Sequence, residues 1–277
     1  MIEIGQINTL EVITRTEFGL YLEGQEDGEI LLPLRYVPEG IELGDFIDVF
    51  IYLDSNDRLI ATTETPLAII GEFAVLEVVA IEKVGAFLDW GLSKDLFLPF
   101  AEQSRELKVG HKIIVFLYLD KSHRISASMR LDRNIEKTQP QYQLGQAVRL
   151  LIAQKTDLGY KAIIEGGYWG MLFEDEVFQN LQYAQIIDGY IKNIRPDGKI
   201  DLSLQKPGEA SLISSLLPEQ IMSLLKSEGG FLAINDKTPA EKIYEVFGVS
   251  KKKYKIALGG LYKKRLIKVD EDGIRIL

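Results

Sequence analysis

Up to about residue 205 the chain is written in short β-rich runs, such as EVITRTEFGLYLE at 11–23, ILLPL at 30–34 and DVFIYLD at 48–54. Turn-forming clusters punctuate them, including DSND at 54–57, DKSH at 120–123 and RPDG at 195–198. Runs of this length between such turns predict strands of a small all-β unit. Beyond QKPGEAS at 205–211 the period changes. PEQIMSLLKSEG from Pro218 places Ile221, Leu224 and Leu225 on one helical face, with Pro218 suited to a first turn. TPAEKIYEVFG predicts a second helix, capped by Thr238, with Pro239 in its first position and Gly248 as its stop. Ser250 caps a third, KKKYKIALGGLYKKR, with Tyr254, Leu258, Leu261 and Tyr262 near one face and Gly259 and Gly260 weakening it. LIKVDEDGIRIL then reads as a β-hairpin around DEDG, and the series helix, helix, turn, helix, hairpin makes a winged helix-turn-helix.

The β-rich part repeats itself. GQINTLEVITRTEFGLYLEGQEDGEILLPL from Gly5 lies over GEFAVLEVVAIEKVGAFLDWGLSKDLFLPF from Gly71 at an offset of 66 residues, and LGDFIDVFIYLDSNDRLIATTE lies over VGHKIIVFLYLDKSHRISASMR at the same offset. Gly5, Gly19 and Gly44 thereby match Gly71, Gly85 and Gly110. A weaker third copy keeps Gly145 and Gly159, has Gln185 at the third glycine position and needs one extra residue in the middle. Units of this size are tandem domains rather than solenoid repeats. An interior glycine in the first hairpin suits a strand that bends sharply at a barrel corner, so each copy is expected to close as a five-stranded barrel. Proline-bearing polar stretches at 62–66, 132–142 and 205–211 set the expected boundaries at 1–65, 66–137, 138–206 and 207–277.

Charge changes the picture. The net charge is −9, yet the four segments carry about −11, 0, −1 and +3, so acidity belongs almost wholly to the first. Ser250–Val269 holds eight Lys and Arg residues and no acid. There is no cysteine, which excludes disulfides and thiolate chemistry. The start lacks a signal-peptide pattern, and the apolar stretch near Leu67–Ile81 is interrupted by Gly71, Glu72 and Glu77. These features predict a soluble, cytoplasmic protein with no membrane partner. His111 and His123 have no spacing suited to metal ligation, and no glycine-rich stretch matches a phosphate loop, so neither cofactor, metal nor catalysis is expected.

The repeats resemble the S-one RNA-binding domain, an OB-fold unit with an aromatic-Gly-x-aromatic motif and a late Asp followed four residues on by Arg. The matching positions are Phe18, Gly19, Tyr21, Asp54 and Arg58 in the first copy and Val84, Gly85, Phe87, Asp120 and Arg124 in the second. In the third they are Leu158, Gly159, Lys161, Arg195 and Lys199, and the histidine of that family is replaced by Pro33, Pro99 and Phe173. Three such units before a winged helix resemble the bacterial conserved virulence factor B family, whose members are RNA-binding regulators. The expected fold is thus mainly β: three tandem OB-fold, S-one-like barrels plus a C-terminal α/β winged helix-turn-helix.

Single-stranded RNA needs π-faces for unstacked bases and cations for phosphates. The first copy offers Phe18, Tyr21 and Arg58, but its charge would repel a polyanion, so an inert or shielding role is expected. The second offers Phe87 and Arg124, with Phe87 and Trp90 alternatively core residues. The third offers Lys155, Tyr160, Lys161, Tyr168, Trp169, Lys192, Arg195 and Lys199. In the winged helix the third helix and the wing carry Lys251, Lys252, Lys253, Lys255, Lys263, Lys264, Arg265 and Lys268, the segment expected to track phosphates. The competing assignment for these lysines is a solvated face. The leading expectation is a regulator of gene expression acting after transcription that binds single-stranded RNA through the third repeat and the winged helix. Two alternatives remain: a duplex DNA-binding transcription regulator, and a protein-interaction adaptor of unidentified partner.

Overall fold

The computed structural model describes residues 2–177, 179–206 and 209–277, and divides into two compact units, Met1–Ile135 and Glu136–Leu277. The first unit holds two closed barrels. One comprises β1 (Ile7–Thr16), β2 (Gly19–Glu23), β3 (Glu29–Pro33), β4 (Phe46–Leu53) and β5 (Leu59–Thr62), in the order β1-β2-β3-β5-β4. The other comprises β6 (Phe73–Glu82), β7 (Gly85–Asp89), β8 (Leu96–Pro99), β9 (Lys112–Leu119) and β10 (Ile125–Ser128), with the same connectivity. The second unit contains a third such barrel: β11 (Ala147–Thr156), β12 (Gly159–Ile164), β13 (Tyr168–Phe173), β14 (Ile186–Ile194) and β15 (Ile200–Ser203). Each closes through a parallel pairing of its third and fifth strands, as at Leu31↔Ile60, Phe97↔Ser126 and Gly170↔Ile200.

Closure rests on two local devices that recur in every copy. The long first strand carries an irregularity after Val12, Val78 and Ile152, which adds the bend a small barrel needs. The second strand opens on glycine. At Gly19 and Gly159 φ is +147° and +139°, and a Cβ would lie 2.1 Å from the carbonyl oxygen of Leu32 or Leu172. Only glycine allows the hairpin to cross the third strand that closely. Inward alternation then fills each barrel, for example Leu10, Val12, Leu20, Leu22, Ile30 and Leu32 in the first.

The first two barrels share apolar packing. The end of β4 is buried on both faces, and Phe50 and Tyr52 join the second barrel's core, with the Phe50 ring edge-on to Trp90 at 5.6 Å. Trp90 is 3% exposed and donates from Nε1 to the Lys94 carbonyl, so it is a core residue.

The winged helix comprises α1 (Glu209–Ser227), β16 (Phe231–Leu232), α2 (Ala240–Phe247), α3 (Lys251–Lys263), β17 (Ile267–Val269) and β18 (Ile274–Ile276). Ser250 caps α3 by accepting from the Lys253 amide, and Gly248 ends α2 in the left-handed region. Four features depart from the sequence expectation. Helix α1 begins at Glu209 with Pro218 inside it, because Leu217, Ile221 and Leu225 bury one continuous stripe that outweighs the lost amide donor. Thr238 does not cap α2; its hydroxyl accepts from the Asn235 amide, and Pro239 takes the cap position. Tyr262 is exposed, while Tyr254, Ala257, Leu258 and Leu261 form the buried face that carries α3 through Gly259 and Gly260. The short strand β16, too brief to show a period, pairs with β18 and extends the wing to three strands. Among the described residues, no helix is long and apolar enough to cross a membrane.

Candidate nucleic-acid interface

In the second barrel, the third residue of β7 is Phe87, half-buried and 5.5 Å from the Phe97 ring across the β7–β8 pairing. The two rings border a cavity of about 290 Å³ whose wall also includes Tyr52, Lys94, Asp120 and Arg124. Arg124 is not free: its Nε and Nη2 donate to the two carboxylate oxygens of Asp57 at 2.8 and 2.6 Å. That hydrogen bond holds the Asp57 carboxyl below the usual carboxylate range. Lys94 donates to the carbonyls of Leu53 and Asp54, and burial, followed by the nearby Arg124 charge, pushes its ammonium below the usual lysine value.

The third barrel carries its predicted residues on β11 to β14 and in the turn before β15, but pairs most of its cations with acids. Lys155 faces Glu174 at 3.5 Å, Lys192 pairs with Glu176, Arg195 grips Asp201 at 2.8 Å, and Lys199 pairs with Asp197 at 2.7 Å. Tyr160 is 5% exposed and belongs to the barrel core, which removes it from any stacking surface. Tyr168 is half-buried, edge-on to Tyr142 and bonded to the Thr138 hydroxyl at 2.8 Å. Burial pushes the Tyr142 hydroxyl up to about 12, so it stays protonated. Trp169 keeps part of its ring accessible, with the Lys161 ammonium 3.9 Å from the centroid. Arg195 lies 5.6 Å from the Phe173 ring, so a planar cation and a π-face sit side by side at the barrel surface.

The winged helix differs in its electrostatics. Lys252, Lys255, Lys263, Lys264 and Arg265 are exposed and make no ion pair among the described residues. Lys251 donates to the Lys237 carbonyl, Lys253 is half-buried on the first turn, and Lys268 pairs with Asp270 in the wing at 2.8 Å. No acid stands in the first turn of α3, so Lys251, Lys252 and Lys253 crowd the positive end of the helix dipole. This breaks the ordinary charge preference of a helix and concentrates positive potential at the start of α3. Arg275 stacks over Phe231 at 4.2 Å and pairs with Asp270 and Asp272, joining β16 to the wing.

One organising residue has no sequence signal beyond its polarity. Asn235, 6% exposed, donates from Nδ2 to the carbonyls of Asp270 and Glu271 and accepts at Oδ1 from the Lys237 amide. It ties the wing turn to the loop before α2. Its partners lie 35 and 36 residues away, beyond the reach of a local pattern.

Comparison with known proteins covers almost the whole chain. An S1 domain model matches residues 4–64 and 70–130, and a CvfB-like winged helix domain model matches 219–276. The uncharacterized protein YitL of Bacillus subtilis is 30% identical over 272 residues, covering 94% of this chain and 89% of that protein. Conserved virulence factor B of Staphylococcus epidermidis is 26% identical, covering 99% and 94%. A crystal structure of a multidomain protein with nucleic acid binding domains from Streptococcus pneumoniae is 24% identical with a TM-score of 0.43, covering 99% of this chain and 98% of that one. Tandem barrels followed by a winged helix, matched from end to end, place this chain in the conserved virulence factor B family of S1-domain and winged-helix proteins.

Proposed function

We propose that this protein is a sequence-tolerant RNA-binding regulator acting after transcription, with its contacts in the second unit. The winged-helix domain, taken as residues 207–277, would supply phosphate contacts. The third repeat, residues 138–206, would supply stacking at Trp169 and Phe173 flanked by Lys161 and Arg195. The observation that carries the reading is the exposed set Lys252, Lys255, Lys263, Lys264 and Arg265 on and just after α3, without ion pairs among the described residues and with Lys252 against the helix dipole, in a chain of net charge −9. Cations held at an electrostatic cost to the fold are accounted for when a polyanion neutralises them. The S1-domain match of the first two barrels, whose strand order the third barrel shares, supports a single-stranded ligand, since small OB barrels offer a curved face rather than an element for the major groove.

The test is fluorescence anisotropy with labelled single-stranded RNA and duplex DNA of equal length, across a salt series. The comparison is between the full chain and a variant with Lys252→Gln, Lys255→Gln, Lys263→Gln and Lys264→Gln together. RNA preference with a slope that flattens by roughly 0.7 per lysine supports the proposal. The same helix is the one that a duplex-binding winged helix would lay in a major groove, so preference for duplex DNA would instead make the protein a transcription regulator. Salt-insensitive or absent binding to both would leave a protein-interaction adaptor.

A further inference from the structure

Resting on that nucleic-acid reading, we infer that the first barrel carries a phosphate mimic for the second: the Asp57 carboxylate sits on Arg124 where a strand's phosphate would sit. Three observations meet here. The first is chemical. Asp57 presents both oxygens to Nε and Nη2 of Arg124, the forked geometry in which a guanidinium receives a phosphate. The second is positional. The paired cation sits beside the cavity bordered by Phe87 and Phe97, so the mimic stands at the edge of an aromatic site.

The third is comparative. The equivalent cations in the other two barrels satisfy themselves at home: Arg58 pairs with Asp54 of its own turn, and Lys199 with Asp197 of its own turn. In the second barrel the local acid, Asp120, accepts the two equivalent turn amides at Oδ1 as Asp54 does, but its Oδ2 faces the Ser126 hydroxyl at 3.5 Å rather than the arginine side chain. Arg124 is thus left for Asp57, which reaches it from a left-handed position at φ +59°. The position is filled by His123 in the second barrel and Gly198 in the third, neither of which offers a carboxylate.

The two barrels are held together by Phe50, Tyr52 and Trp90, so the exchange is one of side chains and not of domains. Both partners are about half exposed, and such pairs are weak, so an incoming phosphate displaces Asp57 readily. The consequence is a second barrel whose cation is available only to a ligand that outcompetes a resident carboxylate. A lone anion gains little by exchanging with Asp57, whereas a strand that also stacks on Phe87 gains more than the pair is worth.

The experiment uses the full chain, unaltered and with Lys252, Lys255, Lys263 and Lys264 changed to glutamine so that the barrel contribution is visible. Asp57→Asn is introduced into each, since asparagine keeps the left-handed turn while removing the charge. With a labelled single-stranded oligoribonucleotide, the expected result is a gain of about two- to five-fold in affinity. The salt slope should steepen by about 0.7, and both changes should vanish when Arg124→Gln is added. Unchanged or reduced affinity in the background without those four lysines overturns the inference, as does a gain that survives Arg124→Gln. If the unaltered chain binds no RNA, it is the functional proposal that falls; if it binds and Asp57→Asn is silent, only this inference falls.

Discussion

Lys252→Glu should strengthen the fold and weaken the function at once. Lys252 is exposed on the first turn of α3, two residues after the Ser250 cap, with no ion pair among the described residues. Removing a cation from the positive end of the helix dipole and placing an anion there is worth about 0.3–1 kcal/mol for each change. A new contact with Lys255, three residues on, adds about 0.3 kcal/mol. The net expectation is a stabilisation of about 1 kcal/mol, read as a higher urea midpoint at unchanged slope with respect to denaturant. Binding moves the other way. One phosphate contact is lost and one repulsion gained, so RNA affinity at low salt falls by about ten-fold and the salt slope flattens by about 0.7. The assay is urea unfolding and anisotropy on the same preparation. A variant that is more stable and binds as before refutes the assignment of α3 to the ligand. A variant that is less stable refutes the dipole argument on which that assignment rests.

Other consequences are as direct. Asn235→Ala strips three well-formed buried hydrogen bonds from the wing anchor, and should cost about 3 kcal/mol in urea unfolding while loosening amide-exchange protection around Asp270 and Glu271; a loss under about 1 kcal/mol would show that the anchor is dispensable. Gly159→Ala drives a Cβ to 2.1 Å from the Leu172 carbonyl in a backbone region that L residues avoid, so it should cost about 3 kcal/mol or more, or prevent folding of the third barrel, whereas wild-type-like stability would refute the close crossing. The Lys268 hydrogen bond, with Arg275 behind it, holds the Asp270 carboxyl below the ordinary carboxylate value. A depressed carboxyl contributes stability in full above about pH 4 and loses it as pH falls through the folded-state value. Lys268→Gln should therefore move the Asp270 midpoint upward in a side-chain carboxyl NMR titration, and an unmoved midpoint would remove Lys268 as the cause.

What the sequence by itself determined is everything that repeats or acts within a few residues. Gly19, Gly85 and Gly159 mark the bends, the turns after Asp54, Asp120 and Arg195 separate the last two strands, and the 66-residue offset carries one strand order into two copies. Ser250 and Gly248 act on their own helices, so their roles were equally visible. Periodicity reports which face of an element is apolar, and that suffices for barrels and helices. It does not report partners. Cations beside aromatics make the third repeat look like the ligand-binding barrel, yet Glu174, Glu176, Asp197 and Asp201 pair with Lys155, Lys192, Lys199 and Arg195, while Lys252, Lys255 and Lys263 on α3 make no ion pair among the described residues. Tyr160 alternates inward with Ala162 and Ile164 and sits opposite Leu172 in the barrel core, whereas Trp169 pairs with Ile163 on the other face of the β12–β13 ladder. Arg124 meets Asp57 across 67 residues, and Asn235 holds the wing across 35. Such contacts depend on how finished elements pack, and a charge or amide is satisfied by whatever lies within about 3 Å in space, wherever it lies along the chain.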